Sequence, residues 1–74
     1  MVNVSVTVLF SGDHRVTQWQ ADRFEPNRVN RVFRDYINKQ YGIDEPPTGA
    51  VVIVDGEVYQ YTAGEVAELA GDAK

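Results

Sequence analysis

The longest regular pattern in the chain runs from Phe24 to Ile43. Val29, Val32, Phe33, Tyr36, Ile37 and Tyr41 recur there at steps of three and four, which places them in one stripe on a helix of 3.6 residues per turn. The opposite arc holds Asn27, Arg28, Asn30, Arg31, Arg34, Asp35, Asn38 and Lys39. Pro26 suits the first helical position, where no amide partner is needed, and Phe24 with Val29 has the spacing of a hydrophobic staple. Glu25 is then the N-cap; the rival start has Asp22 as cap with Glu25 three residues on, a capping-box pattern. Gly42 after Tyr41 predicts a left-handed stop, with Ile43 folding back onto Ile37.

On either side of this helix the period changes to two. Val2, Val4, Val6, Val8 and Phe10 alternate with Asn3, Ser5, Thr7 and Leu9, the pattern of a strand with one core face. Ser11-Gly12-Asp13-His14 follows, and a two-residue Gly12-Asp13 loop of type II′ predicts that Val8 faces Thr17, Val6 faces Trp19 and Val4 faces Ala21. That register puts Trp19 on the valine face and leaves Asn3, Ser5, Thr7, Gln18 and Gln20 around Leu9 and Val16 on the other. After the helix, Ile43 to Gly49 with Pro46-Pro47 reads as a stiff loop. The unbroken run Ala50-Val51-Val52-Ile53-Val54 reads as an interior strand covered on both faces. Asp55-Gly56 is a strong type I′ hairpin signal, pairing Val52 with Tyr59, Ala50 with Tyr61 and Ile53 with Val58. Thr62-Ala63-Gly64-Glu65 is a capping box opening a short helix with Val66 and Leu69 inward and Gly71 as its stop, after which Asp72-Ala73-Lys74 frays.

The expected fold is therefore one small α+β domain, residues 1 to 74, in the order β-β-α-β-β-α. It has a four-stranded, mainly antiparallel sheet, the long helix across one face and a short C-terminal helix. The order partly resembles the β-grasp arrangement of ubiquitin-like proteins: a hairpin, a helix across the sheet, then a hairpin of the Val54-Asp55-Gly56-Glu57 kind. Small β-grasp sulfur carriers finish with a strand and Gly-Gly, whereas this chain finishes with a helix and Gly71-Asp72-Ala73-Lys74. The resemblance implies the fold and transfers no site residue.

Charge sharpens the picture of the long helix. The chain carries a net charge of -4, yet residues 23 to 41 hold five basic against two acidic side chains, and residues 44 to 74 hold one against seven. Arg28, Arg31, Arg34 and Lys39 thus form a basic surface on an acidic protein. It has the chemistry to meet an acidic protein surface or phosphates, since the arginine fork binds both in bidentate fashion. An ordinary solvated helix face, with an Arg31-Asp35 pair one turn apart, has the same composition. Nucleic acid is the less favoured partner because the patch is small and the acidic remainder repels a phosphate backbone. Tyr59 and Tyr61 share one strand face, where they serve either as binding anchors or as core residues with a hydroxyl at the rim. The polar sheet face around Leu9 and Val16, or an edge strand, suits a homodimer.

Catalytic and metal chemistry find little footing. Ser11, Asp13 and His14 have the residue types of a hydrolytic triad but fan out from one tight turn. His14 is the single histidine and there is no cysteine, which removes thiolate ligands, disulfides and a cysteine nucleophile. Asp44-Glu45 is too short for a calcium loop, and the six glycines form no phosphate-binding motif. No cofactor or metal is expected. The N-terminus lacks the basic and apolar regions of a signal peptide, and no apolar run reaches the roughly 20 residues of a membrane span, so a cytoplasmic location is expected. The sequence reading is a non-enzymatic protein-binding or regulatory module acting through Arg28, Arg31, Arg34 and Lys39, with Tyr59 and Tyr61 as a second contact; the alternative is a nucleic-acid binder using the same arginines.

Overall fold

The alternation and turn chemistry at the N-terminus produce a long hairpin, β1 (Val2–Phe10) with β2 (Asp13–Ala21). The computed structural model, which describes residues 1–74, continues with α1 (Pro26–Ile37), β3 (Gly49–Val54), β4 (Glu57–Thr62) and α2 (Ala63–Gly71). The four strands form one open sheet in the order β2-β1-β3-β4, and every neighbouring pair is antiparallel. The expected α+β architecture is therefore present, with β3 in the interior of the sheet. No helix is long and apolar enough to cross a membrane.

Both helices lie on the same side. Val29, Val32, Phe33 and Tyr36 of α1 and Val66 and Ala70 of α2 share one buried cluster with Val4, Val6, Val8, Phe10, Ala50 and Val52. Phe33 is fully buried, and its ring meets Tyr61 edge to face at 5.7 Å between centroids. The two helices pack on each other as well as on the sheet, which is how a nine-residue helix too short to persist alone is held. The capping box forms as expected: Thr62 Oγ1 accepts from the Glu65 amide at 3.2 Å, and the Glu65 carboxylate accepts from the Thr62 amide at 3.0 Å.

The second hairpin has the expected register, with Val52 opposite Tyr59 and Ala50 opposite Tyr61. Asp55 (φ 49°) and Gly56 (φ 87°) both take positive φ, as a type I′ turn requires. Asp55 also ties this turn to β1, accepting from the Asn3 amide at 2.8 Å while its own amide donates to the Asn3 carbonyl at 3.0 Å.

Elsewhere the structure departs from expectation. In the first hairpin the loop is Ser11-Gly12, and Val4 faces Trp19 and Val6 faces Thr17, a slip of two residues from the expected pairing. Gly12 (φ 80°) takes the second central position of the turn instead of the first. A slip of two preserves which face each residue is on, so Trp19 remains on the valine side. The helix starts at Pro26 with Glu25 as N-cap, and that carboxylate makes no capping bond.

The helix ends at Ile37, four residues before Tyr41. Lys39 (φ 61°) supplies the left-handed residue, with its amide donating to Tyr36 and that of Gln40 donating to Asp35, a Schellman stop built without glycine. Tyr41 lies outside the helix, and its ring rests 4.5 Å from that of Tyr36. The stop of α2 is also not a left-handed glycine: Gly71 is helical and Asp72 is the C-cap. Beyond it the chain is held, because Asn27 accepts from the Lys74 amide at 2.8 Å and donates to its carbonyl at 3.3 Å. Finally, β3 is covered on one face only: Ala50 and Val52 are buried, whereas Val51 is half-buried and Ile53 exposed.

Candidate functional site

Arg28, Arg31 and Arg34 come to one side of α1 because the stripe of Val29, Val32, Phe33 and Tyr36 turns the opposite arc outward. Arg28, at the flank of this arc, leans toward β2. Its guanidinium lies 4.5 Å above the Trp19 ring, a cation-π contact that fixes the arginine without neutralising it. Arg31 is exposed and forms no ion pair. Arg34 is half-buried and pairs with its neighbour Asp35 at 3.8 Å, so the expected Arg31-Asp35 pair is replaced by an adjacent one. Lys39 is exposed just past the helix, in the left-handed position of the stop.

The tyrosines occupy a different part of the molecule. Arg28 sits over β2, at one edge of the sheet, while Tyr59 and Tyr61 are on β4, at the other. Tyr61 is half-buried against Phe33 and belongs to the core. Tyr59 is exposed, and its hydroxyl donates to the Glu57 carboxylate at 2.7 Å. That hydrogen bond, followed by the nearby negative charge of Glu57, raises the Tyr59 pKa above its usual value. Tyr41 is raised too, first by partial burial and then by the charge of Asp35. The six residues singled out in the sequence therefore do not form one surface: three arginines share the outer arc of α1, with Arg28 alone over Trp19, Lys39 lies beyond the helix end, and the tyrosines stand apart.

At the Ser11 turn, the Asp13 carboxylate accepts from the His14 backbone amide at 2.7 Å and pairs with Arg15 at 3.4 Å. Its oxygens serve the turn and an arginine and do not orient the imidazole. The surface hollows are open. The one lined by Asn3, Gln18, Gln20 and Ile53 holds a single titratable side chain, Asp55, already bonded to the Asn3 amide.

Two features escaped the sequence reading. One is Trp19 as a platform for Arg28; the available signal was a tryptophan on the helix side of an edge strand with an arginine in the first turn of the helix. The other is the outer face of the second hairpin. Val51, Ile53 and Val58 extend the face around Leu9 and Val16 across all four strands, and their parity relative to Ala50 and Val52 was the signal. Compared with protein-family models, curated proteins and solved structures, the chain matches none.

Proposed function

We propose that this chain is a non-enzymatic protein-binding module that presents the outer face of α1 to an acidic surface on a protein partner. The observation that carries this reading is the pair Arg28 and Arg31: two arginines one helical turn apart, neither in an ion pair, one resting on Trp19 beside a hollow that also holds Asp22 and Glu25, on a chain of net charge -4. A cation already immobilised loses less entropy on binding, and the guanidinium fork matches a carboxylate in bidentate geometry. Arg34 is partly neutralised by Asp35 and serves as a rim contact. Tyr59 and Tyr61 drop out of this contact, because they lie at the opposite edge of the sheet.

The test uses a labelled acidic peptide, a run of Glu and Asp, and a labelled DNA duplex, each titrated with the protein at low and at physiological salt. Trp19, the single tryptophan, supplies a second readout through its fluorescence. Peptide binding that weakens with salt and disappears in the Arg28→Glu/Arg31→Glu variant, with a cooperative melting transition retained and lowered by no more than the lost Arg28–Trp19 contact, supports the proposal. Absence of peptide binding at low salt, or binding indifferent to the charge reversal, contradicts it. Duplex binding with a steep salt slope transfers the surface to nucleic acid.

A further inference from the structure

The side of the sheet away from the helices has an unusual composition for a surface. None of its outward-facing strand positions carries Asp, Glu, Lys or Arg, in a chain where 24% of residues are charged. The charged strand residues Asp13, Arg15 and Glu57 are instead paired with Phe10, Val8 and Val54, on the helix side. An antiparallel sheet with one solvated face ordinarily sorts the other way, with apolar residues toward the core and charged ones toward water. In place of charge, the open face exposes Leu9, Val16, Ile53 and Val58.

Three properties of this face select its occupant. Near a two-fold axis a side chain meets its own copy, so any charge there would face its like; strands without Asp, Glu, Lys or Arg on this face keep that repulsion small, His14 lying at one corner opposite Leu9 and Asp55 at the rim, bonded to the Asn3 amide. Its polar side chains, such as Ser5, Thr7, Gln18 and Gln60, all both donate and accept hydrogen bonds, so each is complementary to itself. The size is also adequate. Four strands of six to nine residues span about 20 by 25 Å at ordinary strand spacing, on the order of 500 Å² in plan and more with side-chain relief, which approaches the roughly 800 Å² per partner of a standard interface. An acidic or basic partner finds no complement here.

We infer that the open face is the seam of a two-fold homodimer, in which the sheets of two copies of this chain pack face to face. Thr7, Ser5, Val51 and Ile53, on the two central strands, then lie near the axis. The helices of the two copies point outward on opposite sides, so a dimer displays two α1 faces. This inference is independent of what α1 binds.

Sedimentation equilibrium of the intact chain over a range of concentrations tests it. The expected result is a reversible monomer-dimer equilibrium reaching twice the 8.3 kDa of one chain. Ile53→Lys places two ammonium groups at the seam and raises the dissociation constant by about 100-fold, since a charge buried without a partner is strongly unfavourable. Val58→Lys, at a position 57% exposed in the single chain, has the same direction of effect without threatening the fold. Arg31→Glu leaves the equilibrium unchanged. The inference is overturned by a monomer at every concentration. A dimer indifferent to both lysines also overturns it, because pairing through the edge strands β2 or β4, or through the helices, has that signature.

Discussion

The two faces of the sheet are built from the same strands and draw on the same β-branched residues, yet only one of them is covered by the helices. On the helix side Val4, Val6, Val8, Ala50 and Val52 are at most 2% exposed. On the other side Val51 and Ile53, from the same β-branched run, stand half-buried and exposed. Alternation says which residues share a face and nothing about what covers that face. Cover is decided by where the helices go, and both α1 and α2 go to the side that offers Phe10 and the valines of β1 as well as those of β3. The side they leave keeps its aliphatic residues, and its strands carry no Asp, Glu, Lys or Arg there; His14 lies at one corner and Asp55 at the rim.

The largest test of this contrast sets Phe33 against Val58. Phe33→Ala removes a fully buried ring from the covered face and should lower the unfolding free energy by about 3 to 5 kcal/mol in chemical denaturation. A domain of this size has a total stability of roughly 4 to 11 kcal/mol, so the loss is a large share of the total and unfolds much of the population at the lower end of that range. Val58→Ala on the open face should stay within about 0.5 kcal/mol when measured on the monomer at high dilution. Equal losses from both would erase the distinction between the faces.

Next comes the cap that seats α2 on the covered side. Thr62→Ala removes the acceptor for the Glu65 amide and should cost about 1 kcal/mol, read as a melting temperature about 4 to 8 °C lower. Smaller and of opposite sign is Lys39→Gly. It relieves a left-handed residue at the stop of α1 and should raise stability by about 0.5 to 1 kcal/mol, provided φ near 61° is kept. A loss there would mean that the Lys39 side chain makes a contact outweighing its strain.

The smallest effect is a titration. Tyr59, on the rim of the covered side, has its pKa raised in the folded chain, so folding favours its protonated form. Its contribution to stability is fully present below the unfolded tyrosine pKa of about 10 and is lost as pH rises through the higher folded value. Ultraviolet titration should show Tyr59 ionising late, and Glu57→Gln should move it back toward the usual range, because the hydrogen-bonded carboxylate is the first cause of the shift.

What was legible in the sequence was what local chemistry dictates. Asp55-Gly56 gave the second register because both central residues of the turn need positive φ, and Thr62 with Glu65 gave the start of α2 because their spacing closes two hydrogen bonds. Gly12 gave the first turn but not its offset, since one glycine serves either central position; parity survived and the register did not. The end of α1 was hidden because its left-handed residue is a lysine, while Gly42 (φ 75°) sits three residues on in a position that also uses a positive φ. The candidate arginines were visible as a helical arc, but Trp19 beneath Arg28 and the separation of Tyr59 from them depend on strand order, which no local pattern encodes.

The contrast between the faces comes to a single question, whether a second copy covers the open one. The chain contains no cysteine, so Thr7→Cys, at the centre of the open face, carries the sole thiol, and Arg31→Cys on α1 is its control. With a short bis-maleimide linker, Thr7→Cys is expected to be captured as a covalent dimer at a rate far above that of Arg31→Cys. A Thr7→Cys protein that stays monomeric, or links no faster than the control, would contradict the face-to-face dimer.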